Sequence, residues 1–326
     1  MFVSIVLALN APDPALWGRE ALTMIRRDYY LSKTKLYAEK PDRKQPAFNW
    51  GVGVMLSALN AAAKHDKKYR PWLKEYADAC RVYWNKGGYD VLPAPKPLDR
   101  YYDDNAWMVL ALVETYEVLG DKKYLKWARE ALAFALEGEA KDGGIYWRES
   151  DKASRNTCSN APVAAACLAL AKHQDTEKLS AKAEEIFEWT YQNLRDPADG
   201  LYWDSLSNNG KIDKTKWTYN TALMIKASQF RETAFEETLN NSFKKWLVNG
   251  KLADSGRFAH LLLEAWVGVH GVKPEYVTAL ENVRKARSAK GYYPSHWSEL
   301  KVARNPELLD QAAFARSCFV VAGKVR

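Results

Sequence analysis

The sequence predicts an all-α fold, an (α/α)6 barrel of six helical hairpins, from three observations. Apolar residues recur three and four apart through most of the chain, strand-like alternation is nearly absent, and short loop and turn motifs return at a nearly fixed interval. Gly88, Gly144 and Gly200 are spaced 56 residues apart, and each precedes an aromatic segment: Gly87-Gly88-Tyr89, Gly143-Gly144-Ile145-Tyr146-Trp147 and Asp199-Gly200-Leu201-Tyr202-Trp203. Asp66-Lys67-Lys68-Tyr69 recurs as Asp121-Lys122-Lys123-Tyr124 after 55 residues, with a degenerate third copy beginning at Asp175. Six hairpins either stack into an open solenoid, whose concave face would hold a partner, or close into a ring. The number six and the aromatic residues at the starts of alternate helices favour the ring.

Helices are expected near residues 18–30, 49–64, 69–85, 103–119, 122–137, 160–172, 177–194, 217–229, 233–247, 257–269, 274–287 and 308–322. The fourth carries its apolar face on Trp107, Leu110, Ala111, Val113 and Tyr116, and the fifth on Tyr124, Trp127, Ala128, Ala131 and Leu132. The Asp-Lys-Lys-Tyr element is the tight turn inside a hairpin, its Asp capping the second helix. The glycine loops then connect one hairpin to the next, and prolines fall mostly between helices, where their missing N–H costs nothing. Residues 1–16, opening Met1-Phe2-Val3-Ser4-Ile5-Val6-Leu7-Ala8-Leu9, have the apolar run of a signal peptide without a basic stretch before it. They are expected to be a signal remnant or a lead-in that packs on a single barrel domain spanning 17–326. No other stretch approaches the roughly 20 apolar residues of a membrane span.

Composition narrows the function classes. The 326 residues are 47% hydrophobic and 27% charged, with a net charge of +8, but Lys and Arg are scattered and never form the dense arms that grip phosphate backbones. No nucleic-acid partner is expected; the excess is a solvated basic surface, compatible with an acidic wall polymer. Cys80, Cys158, Cys167 and Cys318 form no CxxC pair, which argues against a structural zinc site or a disulfide framework. Three of them sit among apolar helical residues as small hydrophobes, and Cys158 stands in a polar loop. The five histidines show no metal-pair spacing and the glycines no phosphate-cradling motif, so neither metal nor cofactor is expected.

Chemistry concentrates in Arg100-Tyr101-Tyr102-Asp103-Asp104-Asn105-Ala106-Trp107, at the start of the fourth helix. Two adjacent Asp residues there can simply cap the helix and complement its dipole. They can equally form a glycosidase pair, one attacking the sugar and the other donating a proton to the leaving oxygen. Neighbouring residues can reach the carboxyl separation of about 5–5.5 Å that retaining enzymes use, and each raises the other's pKa.

Tyr102-Asp103-Asp104-Asn105-Ala106-Trp107 resembles the Asp-Asp-x-x-Trp signature of glycoside hydrolase family 76, the endo-α-1,6-mannanases. Gly143-Gly144-Ile145-Tyr146-Trp147, Arg155-Asn156-Thr157-Cys158-Ser159-Asn160 and Trp217-Thr218-Tyr219-Asn220 are similar to further family segments in the same order, over roughly residues 45–270. The chain departs where the family continues Tyr-Asn-Gln-Gly, reading Tyr219-Asn220-Thr221-Ala222, and where the family has Phe-Lys-Gly, reading Phe258-Ala259-His260.

The resemblance implies retaining hydrolysis of α-1,6-mannosidic linkages, with Asp103 as nucleophile and Asp104 as general acid/base. It also implies an α-mannan or mannooligosaccharide substrate; with the apolar leader, that polymer points to a secreted or periplasmic protein, and a monomer is expected. Alternate helix starts in a closed barrel face one mouth, so Asn49, Trp50, Tyr102, Asn105, Arg155, Asn156, Asn160, Tyr219, Asn220 and His260, with Trp147 and Trp203 on loops, are the expected substrate-binding residues. The alternative for each Asn is a helix cap, for each aromatic residue a place in the core, and for His260 a hydrogen-bonded core histidine. Competing functions are a transglycosylase of the same family and a non-catalytic α-mannan-binding protein. A sugar epimerase would need more inner-helix histidines than the chain supplies.

Overall fold

The computed structural model describes residues 11–228 and 232–323. The apolar run at residues 1–9 lies outside the described residues, and the expected lead-in gives way to helix at Pro14. Among the described residues there are twelve α-helices: α1 (Pro14–Asp28), α2 (Asn49–His65), α3 (Arg70–Ala79), α4 (Tyr102–Leu119), α5 (Lys122–Leu136), α6 (Thr157–Ala171), α7 (Thr176–Leu194), α8 (Thr218–Ala227), α9 (Glu232–Trp246), α10 (Gly256–His270), α11 (Pro274–Lys285) and α12 (Leu308–Val321). None is long and apolar enough to cross a membrane.

The even-numbered helices form an inner ring. Each packs on the next, and α12 returns to α2, so the hairpins close into a barrel. Helices α3, α5, α7 and α9 pack outside their inner partners, while α1 joins the far end of the chain by packing on α12. Burial separates the two rings. An inner helix meets neighbours all round and is buried all round, as in α12, where all 14 residues are buried and the polar ones, such as Asp310, Gln311 and Arg316, are paired inside. An outer helix needs only a stripe, and α3 buries just Leu73, Tyr76 and Ala77.

Boundaries differ from the sequence expectation where a local signal was missed or was outweighed by pairing elsewhere. Helix α1 starts at Pro14 because Asp13 caps it by accepting from the Leu16 N–H, with Pro14 at a position that needs no donor. Helix α3 ends at Ala79 in a 3-10 turn, so that Trp84–Asn85 can pair with Gly88–Tyr89 in a short ribbon. Ser154–Asn156, Ser205–Ser207 and Ile212–Asp213 form a second ribbon at the same end of the barrel. Strands of two or three residues leave no alternation to read. Asp66 and Asp121 cap as expected, accepting from the Lys68 and Lys123 N–H groups, whereas Asp175 makes no side-chain cap.

The repeat glycines are required by packing. A Cβ on Gly88 would lie 2.8 Å from the Phe134 ring, and one on Gly144, which also has φ +76°, would lie 2.7 Å from Trp189. The residue after Gly88 and the one after Gly144 are each latched by an inner-helix amide. Asn105 accepts from the Tyr89 N–H at 2.7 Å and donates to the Tyr89 and Tyr101 carbonyls, each at 2.9 Å. Asn160 does the same for Ile145, and Gln311 for Tyr293. These amides satisfy backbone groups that would otherwise be buried without partners, and they hold the loops at the barrel mouth.

Candidate active site

The first turns of five inner helices line one cleft of about 470 Å³, within the usual range for a ligand site. Helix α4 brings Asp103, Asp104 and Trp107; the starts of α2, α6, α8 and α10 bring Trp50, Cys158, Tyr219 and Phe258. Phe48, Val91, Tyr101, Trp147, Asn156, Asp204 and Trp217 complete the lining.

Neither member of the acidic pair occupies the cap position of α4, which falls to Tyr101 with no side-chain cap bond. Asp103 Oδ1 accepts from the Asp104 N–H at 3.0 Å, and Oδ2 accepts from the Trp147 indole N–H at 3.1 Å. Burial raises the Asp103 pKa well above the ordinary carboxylate range, while these two donors and the Cys158 thiol hold the rise in check. Asp104 accepts no side-chain hydrogen bond among the described residues. Burial raises its pKa further, and the neighbouring charges of Asp103 and then Asp99 add to the rise. The pair is therefore asymmetric: one carboxylate is surrounded by donors that favour its charged form, and the other has every reason to keep its proton.

Aromatic rings flank the pair on two sides. Trp147, 41% exposed, stands edge-on to Tyr101 at 5.0 Å. Across the cleft Phe258 stacks on Tyr219 at 4.6 Å and on Trp50 at 5.5 Å, with Trp217 tilted against it at 5.3 Å. Such faces suit the apolar sides of sugar rings.

Of the residues expected to touch substrate, Trp50, Trp147, Asn156 and Tyr219 line the cleft with the acidic pair. The others do not, and each has a visible reason. Tyr102 turns outward, stacking on Phe134 at 5.2 Å above Gly138. Asn49 is fully buried, and Asn105 and Asn160 are the loop latches. Arg155 is buried against Asn208, Asp142 and the Tyr146 and Trp189 rings. Trp203 donates its indole N–H to Asp196 at 3.1 Å, and Asn220 sits behind Asp204 at 3.4 Å. His260 bonds the Gly256 carbonyl at 3.1 Å, is held neutral by burial with its pKa near 4, and lines a different chamber of about 250 Å³ with Glu114, Glu264 and Arg316. Trp107 borders both spaces.

Sequence reasoning passed over Asp204, Trp217 and Phe258. Phe258 has a usable signal, since it stands two residues into α10 much as Trp50 and Tyr219 stand one residue into α2 and α8. Asp204 directly follows the third glycine-aromatic loop, but nothing local distinguishes it from a solvated loop acid. Among the described residues no group of three His, Cys, Asp or Glu side chains could hold a metal ion.

Carboxylates paired between aromatic faces suit one chemistry above others, the cleavage of glycosidic bonds, and by fold and site the protein is a glycosidase. It belongs to glycosyl hydrolase family 76, whose model matches residues 20–231. A family 76 α-mannanase of Bacteroides thetaiotaomicron superposes with a TM-score of 0.89 at 28% identity, over 95% of this chain and 96% of that one. The α-1,6-mannanase of Salegentibacter sp. HEL1_6 gives 0.80 at 19% identity, over 95% and 99%. An inactive variant of that enzyme, with two successive aspartates replaced by alanine, has been solved in complex with α-1,6-mannotetrose at the same score and coverage. Dfg5 of Chaetomium thermophilum, in complex with glucosamine, gives 0.78 at 14% identity, over 95% and 90%. A search of curated proteins found no match. The family's mannanase neighbours support glycoside hydrolase activity on mannan.

Proposed function

We propose that the protein is a retaining, endo-acting hydrolase of α-1,6-mannosidic linkages in α-mannan, with Asp103 as nucleophile and Asp104 as general acid/base. The observation that carries the assignment is the asymmetry of the pair. Asp103 accepts from Trp147 and the Asp104 N–H, which stabilises the ion that must attack. Asp104, without donors and beside a charge, is kept protonated until a leaving oxygen takes the proton.

In the first step an Asp103 oxygen bonds to the anomeric carbon as the glycosidic C–O bond breaks, and the Asp104 proton passes to the departing oxygen. In the second, Asp104 takes a proton from water, the water oxygen bonds to the anomeric carbon, and the bond to Asp103 breaks. Two inversions leave the configuration unchanged. The two-sided aromatic cleft supports binding within a chain as well as at its end. A sugar hydroxyl can replace water in the second step, which would make the enzyme a transglycosylase. The polymeric substrate places the proposed site of action outside the cytoplasm, and cell fractionation tests that placement.

The test is turnover of α-1,6-mannotetraose, with proton NMR of the first product and with or without an added acceptor sugar. We expect an α product, release of free sugars, and loss of activity by about 10³-fold or more in both Asp103→Asn and Asp104→Asn. A β product, or normal activity in both variants, would refute the assignment.

A further inference from the structure

The chain carries a net charge of +8, yet the cleft lining contains three carboxylates and no Lys, Arg or His among the described residues. The basic side chains next in sequence to the lining are held by acids of their own. Arg148 pairs with Asp99 at 2.8 Å, Arg257 with Glu307 and Asp310 at 2.7 and 2.8 Å, and Lys216 with Asp196 and Asp199 at 2.6 and 2.7 Å. The third carboxylate, Asp204, is used in neither step of the proposed mechanism.

Its backbone is fixed on both sides. The Asp204 N–H donates to the Asp213 carbonyl at 3.0 Å, and its own carbonyl accepts from the Thr157 N–H at 2.8 Å. Its side chain keeps acceptor capacity. Asn220 donates to it at 3.4 Å, beyond the usual optimum, Ser205 and Trp217 are further hydrogen-bonding neighbours, and an ionised carboxylate offers about four acceptor positions. Burial raises its pKa, and these three neighbours hold it back toward the charged form. Asp204 lines the same cleft as Asp103, Asp104, Cys158 and Tyr219.

We propose that Asp204 is a specificity-determining residue, gripping sugar hydroxyls with its remaining acceptor capacity and, in a cleft lining without a cation, restricting the site to uncharged glycans. A hydroxyl-rich neutral sugar gains charge-assisted hydrogen bonds there, whereas a uronate or phosphate meets like charge with nothing to neutralise it. An amide or hydroxyl at this place would bind neutral sugars without the second effect. The inference rests on the glycan-cleaving reading and concerns which glycans the site admits.

Binding separates the two claims. In the Asp103→Asn/Asp104→Asn background Asp204 is the one carboxylate left in the cleft lining, so charge selection there isolates it. The probes are α-1,6-mannotriose and the same trisaccharide oxidised at its free terminal primary alcohol to a uronate, titrated calorimetrically. We expect the neutral form to bind at least tenfold more tightly than the uronate, and Asp204→Asn to weaken neutral binding by about 10- to 100-fold while narrowing that gap. Asp204→Glu, which keeps the charge, should retain the discrimination, and thermal melts confirm that each variant folds. Neutral binding and selectivity unchanged in Asp204→Asn would overturn the role of Asp204 alone. Failure of the background protein to bind neutral mannotriose would overturn this inference together with the mannan reading.

Discussion

Trp147→Phe tests the division of labour in the acidic pair without touching either carboxylate. The substitution keeps an aromatic face beside Tyr101 but deletes the indole N–H that reaches Asp103 Oδ2 at 3.1 Å. A hydrogen bond to a charged group contributes about 1.5–3 kcal/mol, and the 41% exposure of Trp147 puts this one at the lower end. About 1.4 kcal/mol corresponds to about one pKa unit. The donor favours the ionised form, so its loss raises the Asp103 pKa, in the same direction as burial. Because attack requires the ion, the acid limb of kcat/KM against pH should move up by about one unit. On that limb the variant should be about tenfold slower than the wild type, with a smaller loss on the plateau. The assay is reducing-sugar release from α-1,6-mannotetraose across the pH range, alongside a melting curve. A loss of stacking would lower affinity at every pH alike. An unmoved acid limb in a properly folded variant would refute the assignment of Asp103 as the charged partner.

Two further outcomes follow from the same geometry. Both members of the pair have pKa values raised by folding, so their burial contributes stability that is fully present below the ordinary carboxylate range and is lost as pH rises through the raised values. Asp103→Asn and Asp104→Asn should therefore melt a few degrees above the wild type at pH 8 and no higher than it near pH 4; equal melting differences at the two pH values would contradict the burial argument. Asn160→Ala removes the latch on Ile145 and leaves its buried N–H without a partner, so it should destabilise the fold by about 2–3 kcal/mol in urea denaturation with KM little changed. A large KM effect at full stability would return Asn160 to the substrate-binding set.

Much of this protein was legible along the chain. Helix periodicity depends on residues three and four apart, and the glycine and Asp-Lys-Lys-Tyr repeats mark units each stabilised by its own hairpin, so six hairpins could be read from local pattern. The acidic pair was legible for a similar reason, since both carboxylates sit on one turn of one helix. What local pattern does not carry is where a side chain points once helices from distant parts of the sequence meet. Tyr102 and Asp103 are adjacent, yet a helix turns about 100° per residue, and that single step sends one onto Phe134 and the other into the cleft. Asn105 and Asn160 have the composition of sugar-binding amides, and only the loops folded over them show that backbone groups take their hydrogen bonds. Asp204 and Phe258, 101 and 155 residues from Asp103, enter the site because ring closure brings the starts of five inner helices and their loops to one mouth. Sequence determined the repeating units and the reactive pair, whereas closure of the ring decided which other side chains face them, because those contacts are made between segments that share no local pattern.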